Sequence, residues 1–170
     1  MHKLFLLIGV TVFLTGCVMG RINTATYAKP PDNPSFIVVS PNSASLTDRK
    51  IAVLIETKMQ EKGFKKAAAA SDANVGVFFN YKVGAGMTEV SGYAQQDTGY
   101  MGSEASYPRF FQIIVVNLTT SKLPEKMEKI WQGELRSKGN VDDISSLAPD
   151  FIDALFEYYG STVTNRRFTK

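Results

Sequence analysis

Apolar and polar positions alternate along this chain with two clear periods. Ser35 to Ser40, SFIVVS, is a short run of β-branched and aromatic residues closed by Pro41, and it predicts a strand. From Ser45 the period changes to that of a helix. Ile51, Leu54, Ile55 and Met59 share one face, Ser45 with Asp48 three positions later supplies an N-cap, and Gly63 supplies a stop. A helix is therefore expected over 45–62. FKKAAAA, residues 64–70, fits a short strand followed by a turn at Ser71-Asp72. Asn74 to Val83 places Val75, Val77, Phe79 and Tyr81 on one face of a strand. Arg109 to Thr119 and Met127 to Ser137 read as two more strands, with a turn near 121–125 and a break at Gly139-Asn140. Asp142 to Tyr159 is the second helix, with Phe151, Leu155, Tyr158 and Tyr159 aligned. Asp142 or Asp143 can cap it. Pro149 either kinks it or stands in its first turn.

Three segments lack such a pattern. Residues 18–34, VMGRINTATYAKPPDNP, hold few apolar side chains and three prolines, and read as a flexible tether. Residues 84–108 hold five glycines and the tyrosines Tyr93, Tyr100 and Tyr107, and read as a long loop. Residues 161–170 read as a polar, basic tail carrying Arg166, Arg167 and Lys170. The order of elements implies an α+β fold. We expect a single domain over 35–160, a two-layer sandwich whose mostly antiparallel sheet has about four to five strands and carries two helices on one face.

The amino terminus bears on location. Lys3 is followed by ten uncharged residues, Leu4 to Phe13, too few for a transmembrane helix, which needs about 20. Leu14-Thr15-Gly16-Cys17 comes next. This segment resembles the lipobox of bacterial lipoproteins. The resemblance implies a signal peptide over 1–16 and a diacylglycerol plus an N-acyl chain on Cys17, the only cofactor-like group expected. Several acyl chains give stable anchoring where one gives marginal binding. Val18, rather than an aspartate, follows the cysteine and implies sorting to the outer membrane, with the domain facing the periplasm.

Composition then narrows the chemistry. Of 170 residues, 44% are apolar and 21% charged, as in a globular protein. His2 is the only histidine and would leave with the leader, and Cys17 is the only cysteine. No serine or cysteine triad and no histidine-rich zinc site is expected. The formal charge of +3 falls to +2 once Lys3 is removed, which gives no case for nucleic acid. Acidic residues at 142, 143, 150 and 153, and at 125 and 128, are the remaining catalytic option, but helix starts and wet helix faces attract acids without catalysis. Gly84-Ala85-Gly86 lacks the third glycine of a phosphate cradle. No catalytic residue and no metal site is expected.

A wider resemblance rests on five features: the FIVV strand, a charged helix ending in Lys62-Gly63-Phe64, the run Asp72 to Val75, a strand with Trp131-Gln132-Gly133, and a final helix. Together they resemble a large family of small bacterial lipoproteins whose domain has no assigned function, over roughly residues 35–160. Thr119 to Lys129 is longer than the tight turn usual there. The resemblance implies fold and anchoring, and no catalytic residues.

The expected function is that of a non-enzymatic envelope lipoprotein. It would act as scaffold, accessory subunit or assembly factor for an envelope protein complex such as a secretion machine. Tyr93, Tyr100, Tyr107 and Trp131 are the candidate partner contacts, and Arg166, Arg167 and Lys170 the candidate contacts to an anionic surface. The alternative is a periplasmic module for a lipid, glycan or peptidoglycan fragment, its groove lined by Phe78, Phe79, Phe110, Phe111 and Trp131.

Overall fold

The computed structural model describes residues 19–95, 98–120 and 126–170, with backbone alone for 89–104. Eight strands and two helices follow in the order β1 (Met19–Thr26), β2 (Ser35–Val39), α1 (Leu46–Glu61), β3 (Lys65–Lys66), β4 (Val75–Val83), β5 (Met87–Gln95), β6 (Thr98–Asn117), β7 (Glu128–Gly139), α2 (Ile144–Glu157) and β8 (Val163–Thr169). The sheet runs β3-β2-β4-β6-β7-β1-β8, with β5 paired to β6 alone. β2 pairs in parallel with β3 and β4, and the other pairs are antiparallel. The class is α+β as expected, but the open sheet is mixed and has eight strands rather than four to five.

The additional strands come from segments that lack apolar bulk. Residues 19–26 are not a tether. They form β1, between β7 and β8. Only Ile22 and Thr24 of this strand are buried, so its alternation is nearly silent in hydrophobicity. Residues 163–169 are not a frayed tail but the edge strand β8, held by Phe168 on the core side. The domain thus reaches beyond 35–160 at both ends.

Both helices lie on the same face of the sheet. α1 is capped by Ser45, whose Oγ accepts from Asp48 N at 3.2 Å. It ends with Gly63 at φ 88°, where Gly63 N donates to Gln60 O at 2.9 Å and Phe64 N to Met59 O at 3.1 Å. That ending is a Schellman motif, with Phe64 and Met59 buried together, and it accounts for the Lys-Gly-Phe sequence. Asn74 accounts for another motif. It takes Ser35 N on its Oδ1 at 2.8 Å and donates its own N to Ser35 O at 3.0 Å, which fixes β4 beside β2. α2 is capped by Asp143, and Pro149 lies within the helix.

The core joins Ile51, Ile55 and Met59 of α1 with Phe151, Ile152 and Leu155 of α2, over Val77, Phe111, Ile113 and Trp131 of the sheet. Trp131 is completely buried, 5.1 Å from the Tyr159 ring and 5.9 Å from that of Phe156. Its indole folds over Gly133, where a Cβ would lie 2.9 Å from Cζ2. The Trp-x-Gly sequence is therefore a packing requirement of α2 on β7.

One buried polar contact ties α1 to the sheet. Asp48 is 3% exposed, and its carboxylate accepts from Tyr81 Oη at 2.7 Å and Asn42 N at 2.9 Å. Burial, and then the Asp48 carboxylate, push the Tyr81 phenol from 10.0 up to about 12. Burial alone also raises Tyr159. The folded chain therefore holds these phenolic protons more tightly than the unfolded chain does. The Tyr81 contribution is complete below about pH 10 and is lost as pH rises through about 12, and that of Tyr159 is lost at still higher pH. Alkaline unfolding followed by circular dichroism is expected to show a fall in stability that begins near pH 10, and Tyr81→Phe is expected to flatten its first part.

Candidate functional site

The glycine- and tyrosine-rich segment is an arm. β5 and the first part of β6 form nine consecutive register pairs, from Met87↔Ser106 to Gln95↔Thr98, and among the described residues no third strand joins them. The remainder of β6 runs on into the sheet between β4 and β7. At about 3.4 Å per residue the arm extends roughly 30 Å from the sheet. The loop expected over 84–108 is therefore a hairpin. Its pairs are made mostly of small and polar residues, with Val90 the one aliphatic β-branched residue among them, so the apolar alternation that announces a strand is missing.

The arm's joint is a bulge. Val83 pairs with Arg109 and Met87 with Ser106, so three residues, Gly84 to Gly86, face two, Tyr107 and Pro108. The glycines are needed for close approach. A Cβ at Gly84 would lie 2.7 Å from the Pro108 ring, and one at Gly86 2.7 Å from the Tyr107 ring. A bulge bends and twists the strand that carries it. Gly84-Ala85-Gly86 is thus the elbow of the arm.

The sequence-derived site residues separate around this frame. Tyr93 and Tyr100 are register partners within the arm, on one face of it. Tyr107, half-buried, lies at the joint. Trp131 belongs to none of this. It is a core residue, 0% exposed, and the partner contact expected of it is corrected accordingly. Cys17 lies outside the described residues, but β1 starts at Met19, only two residues later. Met19 pairs with Lys138 and Thr169, and Lys138 pairs with Pro108, so the segment that carries Cys17 and the arm leave from one end of the sheet.

The cationic candidates also divide. Lys170 pairs with Asp150, and Arg166 Nε donates to Tyr158 Oη at 3.2 Å, so both lean toward α2. Arg167 lies on the helix-free face beside Arg21. Arg21, Lys82 and Arg136 share that face near the arm, and the sequence did not single them out, because only strand register brings them together.

Of the acidic residues considered for catalysis, Asp143, Asp150, Asp153 and Glu128 have structural partners. Asp143 accepts from Ser145 N at 2.9 Å, and the hydrogen bonds from Ser145 hold its carboxyl below the ordinary range. Asp153 meets Lys58 at 3.1 Å. Glu128 accepts from Asn117 Nδ2 at 3.4 Å, and Glu125 lies outside the described residues. Among the described residues no group of three His, Cys, Asp or Glu side chains is placed to hold a metal. The five aromatic residues expected to line a ligand groove do not converge. Phe79, Phe111 and Trp131 face the helices, and strand alternation puts Phe78 and Phe110 on the opposite face.

One buried cation has no evident structural partner. Arg109, next to the joint, is 3% exposed, and its Nε, Nη1 and Nη2 make no hydrogen bond. The site at Gly139 is small because a Cβ there would overlap Arg109 Nη2. Desolvation lowers the pKa of this guanidinium. An unpaired buried charge destabilises a fold, and an apolar replacement of similar volume is neutral or stabilising. Arg109→Met is therefore expected to keep or raise the thermal unfolding midpoint, measured by calorimetry. A fall of several degrees would show that the charge is satisfied in the folded protein.

These features define a small α+β domain with an open mixed sheet, helices on one face and a protruding two-stranded arm. The chain belongs to the family described as Domain of unknown function (DUF4136), which matches residues 22–159. Among solved structures it is similar to a PDZ domain protein from Parabacteroides distasonis ATCC 8503, with TM-score 0.58 and 13% identity over 90% of this chain and 38% of that one. The chain thus spans well under half the length of that protein, and the likeness shows the fold alone. It is also similar to a DUF4136 family protein from Bacteroides thetaiotaomicron VPI-5482, with TM-score 0.48 and 16% identity over 83% of this chain and 96% of that one. A third likeness is to the PelC dodecamer from Paraburkholderia phytofirmans, with TM-score 0.43 and 11% identity over 80% of this chain and 94% of that one. No curated protein sequence matches the chain.

Proposed function

We propose that the chain is a non-enzymatic lipoprotein of the bacterial outer membrane. It acts as a scaffold, accessory subunit or assembly factor for an envelope protein complex such as a secretion machine. Acyl chains on Cys17 hold it, the domain faces the periplasm, and the arm docks on a partner at the membrane. The observation that carries this reading is the arm itself. A two-stranded ribbon of nine pairs is marginal in water unless something covers it. Its unpaired edges can add a strand to, or take one from, another protein. The arm leaves from the end where the anchor segment enters, and this supports a partner apposed to the bilayer.

The test is photocrosslinking in intact cells. A crosslinking residue at position 93 is expected to give one discrete adduct with an envelope protein. The same residue at Ser71, near the start of β4 and away from the arm, is expected to give none. Equal, diffuse labelling from both positions would contradict the proposal.

A further inference from the structure

The helix-free face of the sheet carries a transverse row of cations. Lys82 pairs with Phe110, Phe110 with Arg136, Arg136 with Arg21, and Arg21 with Arg167. One residue from each of β4, β6, β7, β1 and β8 therefore lines up across about 19 Å, at roughly 4.8 Å per strand. The core-side neighbours Tyr81, Phe111, Leu135, Ile22 and Phe168 pack toward the helices, so strand alternation places the row on the open face. Lys82, Arg136, Arg21 and Arg167 are all exposed.

Like charges directly opposite on neighbouring strands repel, and three guanidinium-bearing residues here occupy adjacent strands. Little within the described structure offsets this. Arg136 lies 3.6 Å from Glu134 and 5.5 Å over the Phe110 ring. Arg21 donates to Asn165 O at 3.3 Å, and Arg167 lies 3.8 Å from Met19 Sδ. No ion pair to an acid is formed by Arg21, Lys82 or Arg167 among the described residues. A shallow groove of about 600 Å³ follows the row at its β4 end, lined by Lys82, Gly84, Pro108, Phe110 and Arg136. The arrangement calls for negative charge from outside the chain.

Chain length indicates the source. Four peptide links separate Cys17 from Arg21, which keeps their Cα atoms within about 14 Å. If Cys17 carries acyl chains, the Arg21 end of the row stays in the neighbourhood of the lipid headgroups. We infer that this cationic row is a second, electrostatic contact with the bilayer: it seats the anchor end of the sheet on anionic phospholipid headgroups and fixes the orientation of the domain and its arm. The inference rests on the proposed acylation of Cys17. Polybasic surfaces next to a lipid anchor strengthen membrane contact through the negative surface potential, within about one Debye length.

The experiment uses the full chain, acylated by its native host and reconstituted in vesicles of phosphatidylcholine, with or without phosphatidylglycerol as a minor component. A thiol dye is placed at Thr169→Cys, on the anchor end, or at Ser71→Cys, away from it, and nitroxide headgroup lipids act as quencher. Quenching at position 169 is expected to be at least about threefold stronger in anionic than in neutral vesicles, and to fall to the neutral level in high salt. Position 71 is expected to stay unquenched. Arg21→Gln with Arg136→Gln and Arg167→Gln is expected to abolish the anionic enhancement while the protein still sediments with vesicles. Glu134→Gln, which removes an acid beside the row and leaves every cation in place, is expected to deepen it. Equal quenching at 169 in both vesicle types, or no response to either set of substitutions, overturns the inference and leaves the anchor standing. Uptake of dye by the chain without an introduced cysteine reveals a bare Cys17 thiol, and overturns both.

Discussion

Trp131→Ala is expected to lower the unfolding free energy by about 3–5 kcal/mol, the range for deletion of a large buried aromatic side chain. The indole is wholly buried and stacks among Tyr159, Phe156 and the backbone of Gly133. Its loss opens a cavity beneath α2 at the centre of the sheet, where β7 lies between β6 and β1 and has little freedom to collapse. The indole Nε1 makes no hydrogen bond, so its removal relieves an unpaired buried donor and offsets part of this loss, toward the lower end of the range. Urea unfolding followed by far-ultraviolet circular dichroism measures it. A loss of less than 1 kcal/mol, the scale of a surface substitution, would mean that the tryptophan lies at the surface, where it is free to meet a partner.

Removal of the arm is expected to have the opposite profile. Deleting Thr88 to Ala105 and joining Met87 to Ser106 through an Asn-Gly turn removes only pairs that lack a third strand. Stability is expected to change by no more than about 1 kcal/mol, because an isolated ribbon is marginal in water. Capture of the proposed envelope partner, read by co-purification with the intact protein, is the phenotype expected to disappear. The pairing supports this separation. β6 enters the sheet at Tyr107 and is held there by β4 and β7, independently of its outer half. An armless protein that unfolds at once would place the arm in the folding unit. An armless protein with a full phenotype would remove it from function.

Much of the fold was legible because large apolar residues followed a clear period. Phe36 to Val39, the α1 face with its Ser45 cap and Gly63 stop, and the Val75-Val77-Phe79-Tyr81 face of β4 are found close to where the pattern puts them. β1 and β8 were not legible. MGRINTAT buries one large apolar side chain and VTNRRFT buries only Phe168, and each becomes a strand through backbone pairing with neighbours distant in sequence. The arm reads as a loop in sequence because small and polar residues make most of its cross-strand pairs. The small-residue composition was visible, but its register was not.

The candidate site shows the same division. Tyr93, Tyr100 and Tyr107 were noticed for composition and do belong to the arm and its joint. Trp131 was noticed for rarity, and its burial follows from a neighbour two positions along, Gly133, that makes room for its ring. The cationic row was invisible in sequence. Arg21, Lys82, Arg136 and Arg167 are spread over most of the chain, and only the antiparallel register places them on adjacent strands.

The account turns on whether position 17 joins the chain to a bilayer. Mass spectrometry of the amino-terminal peptide, taken from protein extracted out of native membranes with detergent, measures this directly. The expected peptide begins at Cys17, with a diacylglycerol thioether on sulfur and an acyl group on the amine. A peptide that runs unmodified through Leu14-Thr15-Gly16-Cys17, or one that begins elsewhere with a free thiol, would contradict it.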